Sequence, residues 1–118
     1  VTNSQTLNWE QTLFNIILHA GNARSKAIEA AERAEEGDYE AAEAALDEAE
    51  AEQAEAHKAH ASIIQMEAGG EQVPFSVLLV HSMDLLLLSW AEIDHTRQMT
   101  RLCRRVSQLE AEVRKWQR

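Results

Sequence analysis

Residues 77–117, VLLVHSMDLLLLSWAEIDHTRQMTRLCRRVSQLEAEVRKWQ, contain neither glycine nor proline. So long a stretch without a breaker predicts a single helix, which at ~1.5 Å per residue extends about 60 Å. One series runs along it: Val77, Val80, Asp84, Leu88, Ala91, His95, Met99, Leu102, Val106, Leu109, Val113 and Trp116. Steps of three and four alternate except at Asp84 and at His95, where two fours fall together. Each is a stutter, which straightens a supercoil locally without ending it. Leu85, Leu86 and Leu87 make the helix apolar on every side near Asp84. The rest of the chain can cover one side only. Self-association has to cover the others, and a parallel homotrimer, a coiled coil about this helix, is the expected arrangement.

Upstream, Gly69-Gly70 and Val73-Pro74 form the one substantial connection, so the last helix is expected over residues 75–117. A second helix is expected over residues 38–67. Its stripe reads Tyr39, Ala42, Leu46, Ala49, Gln53, Ala56, His60 and Ile63, and so much alanine allows close approach while burying little area. Gly37-Asp38 separates it from a first helix over residues 8–36: glycine suits the left-handed position that ends a helix, and aspartate caps the next one. The first helix is expected to start at Asn8, with Gln11 completing a capping-box-like pair. Leu13, Ile16, Ile17, Ala20, Ala27, Ile28 and Ala31 form its apolar stripe. The predicted fold is all-α, one domain over residues 1–118, with a three-helix antiparallel bundle as the subunit.

Composition agrees. Five glycines and prolines in 118 residues leave little material for a sheet. A net charge of −9 argues against nucleic acid as a partner. The charge is unevenly placed: residues 29–55 hold twelve acidic side chains and only Arg33 as a base, whereas residues 97–118 hold seven bases against Glu110 and Glu112. These predict solvated faces that also help the last helix recognise its neighbours. Cys103 is alone, which excludes an intrachain disulfide and fits a reducing compartment. No signal sequence opens the chain, and the apolar run 77–88 is too short to span a bilayer. A cytoplasmic protein without membrane insertion is expected.

Residues 16–38, IILHAGNARSKAIEAAERAEEGD, resemble the first helix and turn of the lactose/cellobiose-type IIA components of the bacterial sugar phosphotransferase system. The likeness continues through Gly37-Asp38-Tyr39-Glu40, Ala56-His57, Ile64-Gln65 and Glu67-Ala68-Gly69, and ends in VLLVHSMD at 77–84. It covers about residues 10–106. The resemblance implies three-helix subunits in a parallel trimer with the third helices around the axis. It also implies a phosphocarrier in which His81 takes a phosphoryl group from the phosphohistidine of HPr and passes it to a cysteine of a cognate IIB component. Asp84 matches the family aspartate that binds a shared, magnesium-like divalent metal ion on the axis. This sequence departs from the motif at several places. Leu85 stands where the motif has a second histidine, Ser82-Met83 replace Ala-Gln, Leu87-Leu88 replace Met-Thr, and His60-Ala61 replace Gln-Thr in the AHxxQT segment. These departures cluster at the reacting position and leave a second reading, a trimeric helical scaffold or binding protein that keeps the fold without phosphotransfer.

Taken alone, each residue has a plainer role. A single histidine on an apolar helix usually packs, yet a neutral imidazole at His81 is a competent nucleophile for phosphorus, and the family register favours that role. Three copies of Asp84 about an axis would repel, which a hard cation or a shared proton relieves. His95, with Glu92 one turn before it, is the only Glu-x-x-His pair, too few for a carboxylate-bridged di-metal bundle. Packing is the expected role of His95, as of His57 and His60. Gly21 is expected to allow close helix approach, with Arg24 reaching an acidic neighbour. Nothing marks Cys103 as a nucleophile.

Overall fold

The computed structural model describes residues 4–117, with side-chain surroundings from residue 8 onward. Among these residues there are three helices and no strand: α1 Ser4–Glu35, α2 Tyr39–Ala68 and α3 Val77–Trp116. α1 starts earlier than expected. Nothing in residues 4–7 breaks a helix, so Asn8 lies inside the first turns rather than at the cap, and its carbonyl accepts the Thr12 hydroxyl at 2.7 Å.

The two punctuation marks behave as their residues require. Gly37 has φ +85°, and the amides of Gly37 and Asp38 donate to Ala34 and Arg33 carbonyls at 3.0 and 2.9 Å, which closes the C-terminus of α1. Asp38 then accepts the Ala41 amide at 3.1 Å and caps α2. At the far end Gly70, with φ +96°, turns the chain out of α2, and Ser76 caps α3 by accepting the Leu79 amide at 3.1 Å.

Packing runs in two clusters along the bundle. Ala23, Ala27 and Ala30 of α1 meet Ala45, Leu46 and Ala49 of α2 and Ile93 of α3. Leu13, Ile16 and Ala20 meet Ala56 and Ile63, with Leu86. Early α1 therefore faces late α2 and early α3, an up-down-up bundle in which α3 runs parallel to α1. The α2 stripe is buried as expected except at Tyr39 and His60, which are half-buried. On α1 the stripe follows the alanines. Ala23, Ala30 and Ala34 are buried where Ile28 and Ala31 were expected, and Ile28 remains 41% exposed. Alanine sets a narrow gap between α1 and α2, and the bulkier isoleucine lies just off that line. Gln53 is buried among these residues with its amide nitrogen unpartnered.

α3 packs through Ser82, Leu86, Ser89, Ile93, Thr96 and Thr100. Most of these inward hydroxyls satisfy themselves on their own helix: Ser82 donates to Leu79, Ser89 to Leu86 and Thr100 to Thr96 carbonyls at 2.7–2.8 Å. The series read along residues 77–116 lies on the opposite side and is mostly exposed in a single chain.

Candidate functional site

Ser76 fixes where α3 begins, and the helical period then fixes where its side chains point. His81 follows one turn inside the helix. It is exposed, flanking the outer series rather than the core. Asp84 lies three residues on, on the same side, also exposed. Between them Ser82 is fully buried and Met83 is 40% exposed. Leu85 is half-buried against the Leu13–Ile63 cluster, so this position now serves packing. Val80, Leu87 and Leu88 are exposed beside His81 and Asp84, giving the pair an apolar surround.

Within one chain these two residues stand apart from other ligands. Among the described residues no three His, Cys, Asp or Glu side chains converge as a metal site. Asp84 offers a single carboxylate outward, too few donors within one chain to hold a hard cation. His95 is exposed on the same outer series, with Glu92 half-buried beside it.

On the α2 side of the bundle His57 meets Trp90 of α3, ring centroids 5.2 Å apart and planes tilted by 48°. His60, half-buried below it, has its pKa held under the usual 6.5 by burial and, secondarily, by the charge of His57. The two histidines pack, as expected, and Trp90 is the partner that the sequence alone did not identify.

A second polar region lies across α1 and α2. Glu52 accepts from the His19 ring at 2.6 Å and from the Asn22 amide at 3.4 Å. The His19 bond is the main reason that the Glu52 carboxyl titrates below its usual value. Lys26 bridges Glu48 at 2.8 Å and Glu29 at 3.2 Å, and those hydrogen bonds raise its pKa. The expectation for Gly21 and Arg24 fails here. A Cβ at Gly21 would meet nothing within 4 Å, because Ala20 and Ala23 take the helix contact and Gly21 points outward. Arg24 is exposed and makes no ion pair among the described residues. The contrast of charge does join the last helix to α2: Arg97 binds Glu50 at 2.6 Å and approaches Asp47 at 3.9 Å. Further along, the Tyr39 hydroxyl reaches the Cys103 carbonyl at 3.0 Å and the Ser107 hydroxyl at 2.6 Å, with Arg104 over its ring.

Comparison with known proteins settles the family. Residues 11–104 match the model of the lactose/cellobiose-specific IIA subunit of the phosphotransferase system. The chain belongs to that family. The lactose-specific EIIA component of Lacticaseibacillus casei is 34% identical over 97 residues, 82% of this chain and 87% of that protein. The lichenan-specific phosphotransferase enzyme IIA component of Bacillus subtilis is 38% identical over 99 residues, 84% and 90% of the two chains. Among solved structures, the cellobiose-specific enzyme IIA from Bacillus anthracis superposes with a TM-score of 0.82 at 35% identity, covering 84% of this chain and 91% of that one. PtcA from S. mutans gives 0.80 at 32% identity, covering 87% and 99%. This IIA chain has, among its described residues, no helix long and apolar enough to cross a membrane.

Proposed function

We propose that the protein is a cytoplasmic phosphocarrier that relays a phosphoryl group from HPr to a cognate IIB component through His81. The observation that carries this is the exposure of His81 on the first turns of α3 in a chain of the IIA family. A neutral ring nitrogen attacks the phosphorus of phospho-HPr. The bond between phosphorus and the HPr histidine breaks as the new one forms, and a IIB thiolate later takes the group from His81 in the same way. Helical side chains lean toward the N-terminus, so a phosphoryl group on His81 lies near the positive end of a 40-residue helix. Such transfer needs positioning and charge stabilisation above all, which a docked partner completes.

Three copies join in parallel through the outer face of α3, with Asp84 at the axis. A magnesium-like divalent ion held there by the three carboxylates would neutralise their repulsion and tie the copies together. Incubation with phosphoenolpyruvate, enzyme I and HPr should give an acid-labile phosphate on His81, seen by mass spectrometry. His81→Ala should abolish it while helicity and assembly stay nearly unchanged. Phosphate at His57, His60 or His95 instead would overturn the assignment. Chelator should weaken assembly of the wild type and leave Asp84→Leu untouched; equal sensitivity of both would remove Asp84 from the axis.

The packing of Leu85 against the core favours a second reading, a trimeric scaffold that keeps the fold without the relay. A wild type that takes no phosphate in the same assay, beside an active IIA control, selects it.

A further inference from the structure

The subunit buries two cores rather than one. Leu13, Ile16 and Ala20 of α1 close with Ala56, Ile63 and Leu86 at the end that carries His81. Ala23, Ala27 and Ala30 close with Ala45, Leu46, Ala49 and Ile93 at the end of the Gly37 turn. Between the two, the buried stripes turn polar. On α2, Gln53 falls between Ala49 and Ala56, and on α3, Ser89 falls between Leu86 and Ile93. Gln53 is 8% exposed and Ser89 is fully buried. No hydrogen bond joins them: Ser89 donates to the Leu86 carbonyl of its own helix at 2.7 Å, and the Gln53 amide nitrogen has no partner. A buried donor without a partner carries the full penalty of leaving water, and loses it once water arrives. The packing therefore parts most easily at this layer.

The two cores are also unequal. At the His81 end Leu13, Ile16, Ile63 and Leu86 are buried, with Trp9, Leu78, Leu79 and Leu85 packed against them. At the turn end only Leu46 and Ile93 are large, and alanine supplies the rest, so less apolar area leaves water. The other links there, Lys26–Glu48, Arg97–Glu50 and the Tyr39 hydroxyl, lie near the surface and contribute modestly. We propose that the Gly37 end of the hairpin, residues 23–49, opens from α3 as a unit of its own, with its boundary at Gln53 and Ser89. Opening that far hydrates the Gln53 amide and exposes chiefly alanine. Going further would expose Leu13, Ile16, Ile63 and Leu86, and the opening stops short of them. The end that carries His81 keeps its packing while the other end yields. Neither the relay through His81 nor association between copies is required.

Hydrogen exchange of the full-length chain, followed by peptide at rising, sub-denaturing urea, reads the two ends separately. After correction for intrinsic rates, amides of residues 27–34 and 42–49 should exchange faster than those of 13–20 and 56–63. They should also respond less steeply to urea, because their opening exposes less surface. Gln53→Met keeps the length of the side chain and removes its polar atoms. It should slow exchange at the turn end on the order of tenfold, since opening no longer relieves a buried amide. Ile63→Val should speed exchange at the His81 end about twofold to tenfold and leave the turn end unchanged, because the opening does not reach that residue. One common rate and urea slope at both ends, a turn end slower than the His81 end, or a turn end that answers to Ile63→Val would overturn the proposal. So would a turn end indifferent to Gln53→Met in a chain that circular dichroism shows to be folded. If Gln53→Met does not fold, the wild type and Ile63→Val decide on their own.

Discussion

The two sides of α3 are written for different neighbours. Facing its own bundle are Ser82, Leu86, Ser89, Ile93, Thr96 and Thr100, of which only Leu86 and Ile93 are large and apolar. Facing away are Leu88, Leu102, Val106, Leu109 and Val113, all bulky and all about half exposed or more. Apolar stabilisation scales with the area removed from water, so a single subunit draws little from its longest helix. The Ser82, Ser89 and Thr100 hydroxyls on the inner side are bonded to their own helix and add no cross-helix link. The more adhesive side is therefore the one a lone subunit cannot use.

Three experiments break or sharpen this contrast. The largest effect is expected from ending the chain after Ser107, which keeps the Tyr39 hydrogen bonds and removes Leu109, Val113 and Trp116. Each contributes about 1.5–3 kcal/mol if fully buried between copies, and association should fall steeply on dilution while subunit helicity per residue holds. An unchanged mass by light scattering at low micromolar concentration would make the outer side idle. Next, Leu86→Ala and Leu109→Ala separate the two sides directly. Leu86 is 2% exposed and Leu109 65%. Leu86→Ala should cost about 2–5 kcal/mol of subunit stability, whereas Leu109→Ala should act on association and leave the subunit fold alone. Equal losses in denaturant unfolding of dilute, monomeric samples would erase the contrast. The smallest effect concerns His60. Its folded-state pKa is depressed, so the folded chain binds that proton less readily than the unfolded one. The contribution is complete above the unfolded pKa and is lost as pH falls toward the folded value. His60→Gln should flatten the decline of Tm on acidification through that window. An unaltered slope would assign the titration to another group.

The sequence reading of the fold succeeded where one residue type has one physical use. Gly37-Asp38 ends α1 and caps α2, and Gly70 turns the chain out of α2, each through a glycine at positive φ. It failed on α1, where isoleucine drew the stripe to Ile28 although the alanines, three and four apart, mark the buried line. On α3 the inward face was hidden because Ser82, Ser89, Thr96 and Thr100 register as polar, and bonding to their own helix makes the burial of Ser82, Ser89 and Thr100 tolerable. The site was legible in another way. No spacing rule picks His81 from the five histidines; its motif neighbours do, and the structure adds that it is exposed. The His19–Glu52 and Tyr39–Ser107 contacts join distant positions and needed the hairpin's register, which hydropathy does not supply.

Tyr39 has a use of another kind. It is the only tyrosine in the chain, and its hydroxyl marks where α3 leaves the hairpin. Amides of α3 before that point are covered by the subunit; those after Ser107 are left uncovered by it and gain cover only where copies associate as proposed. Deuterium uptake should therefore divide α3 at one place, the near part exchanging at a pace set by the subunit and the far part at a pace set by how crowded the solution is. With the proposed assembly, the far end of α3 would act as a gauge of the protein's own concentration, with a single phenol at the zero mark.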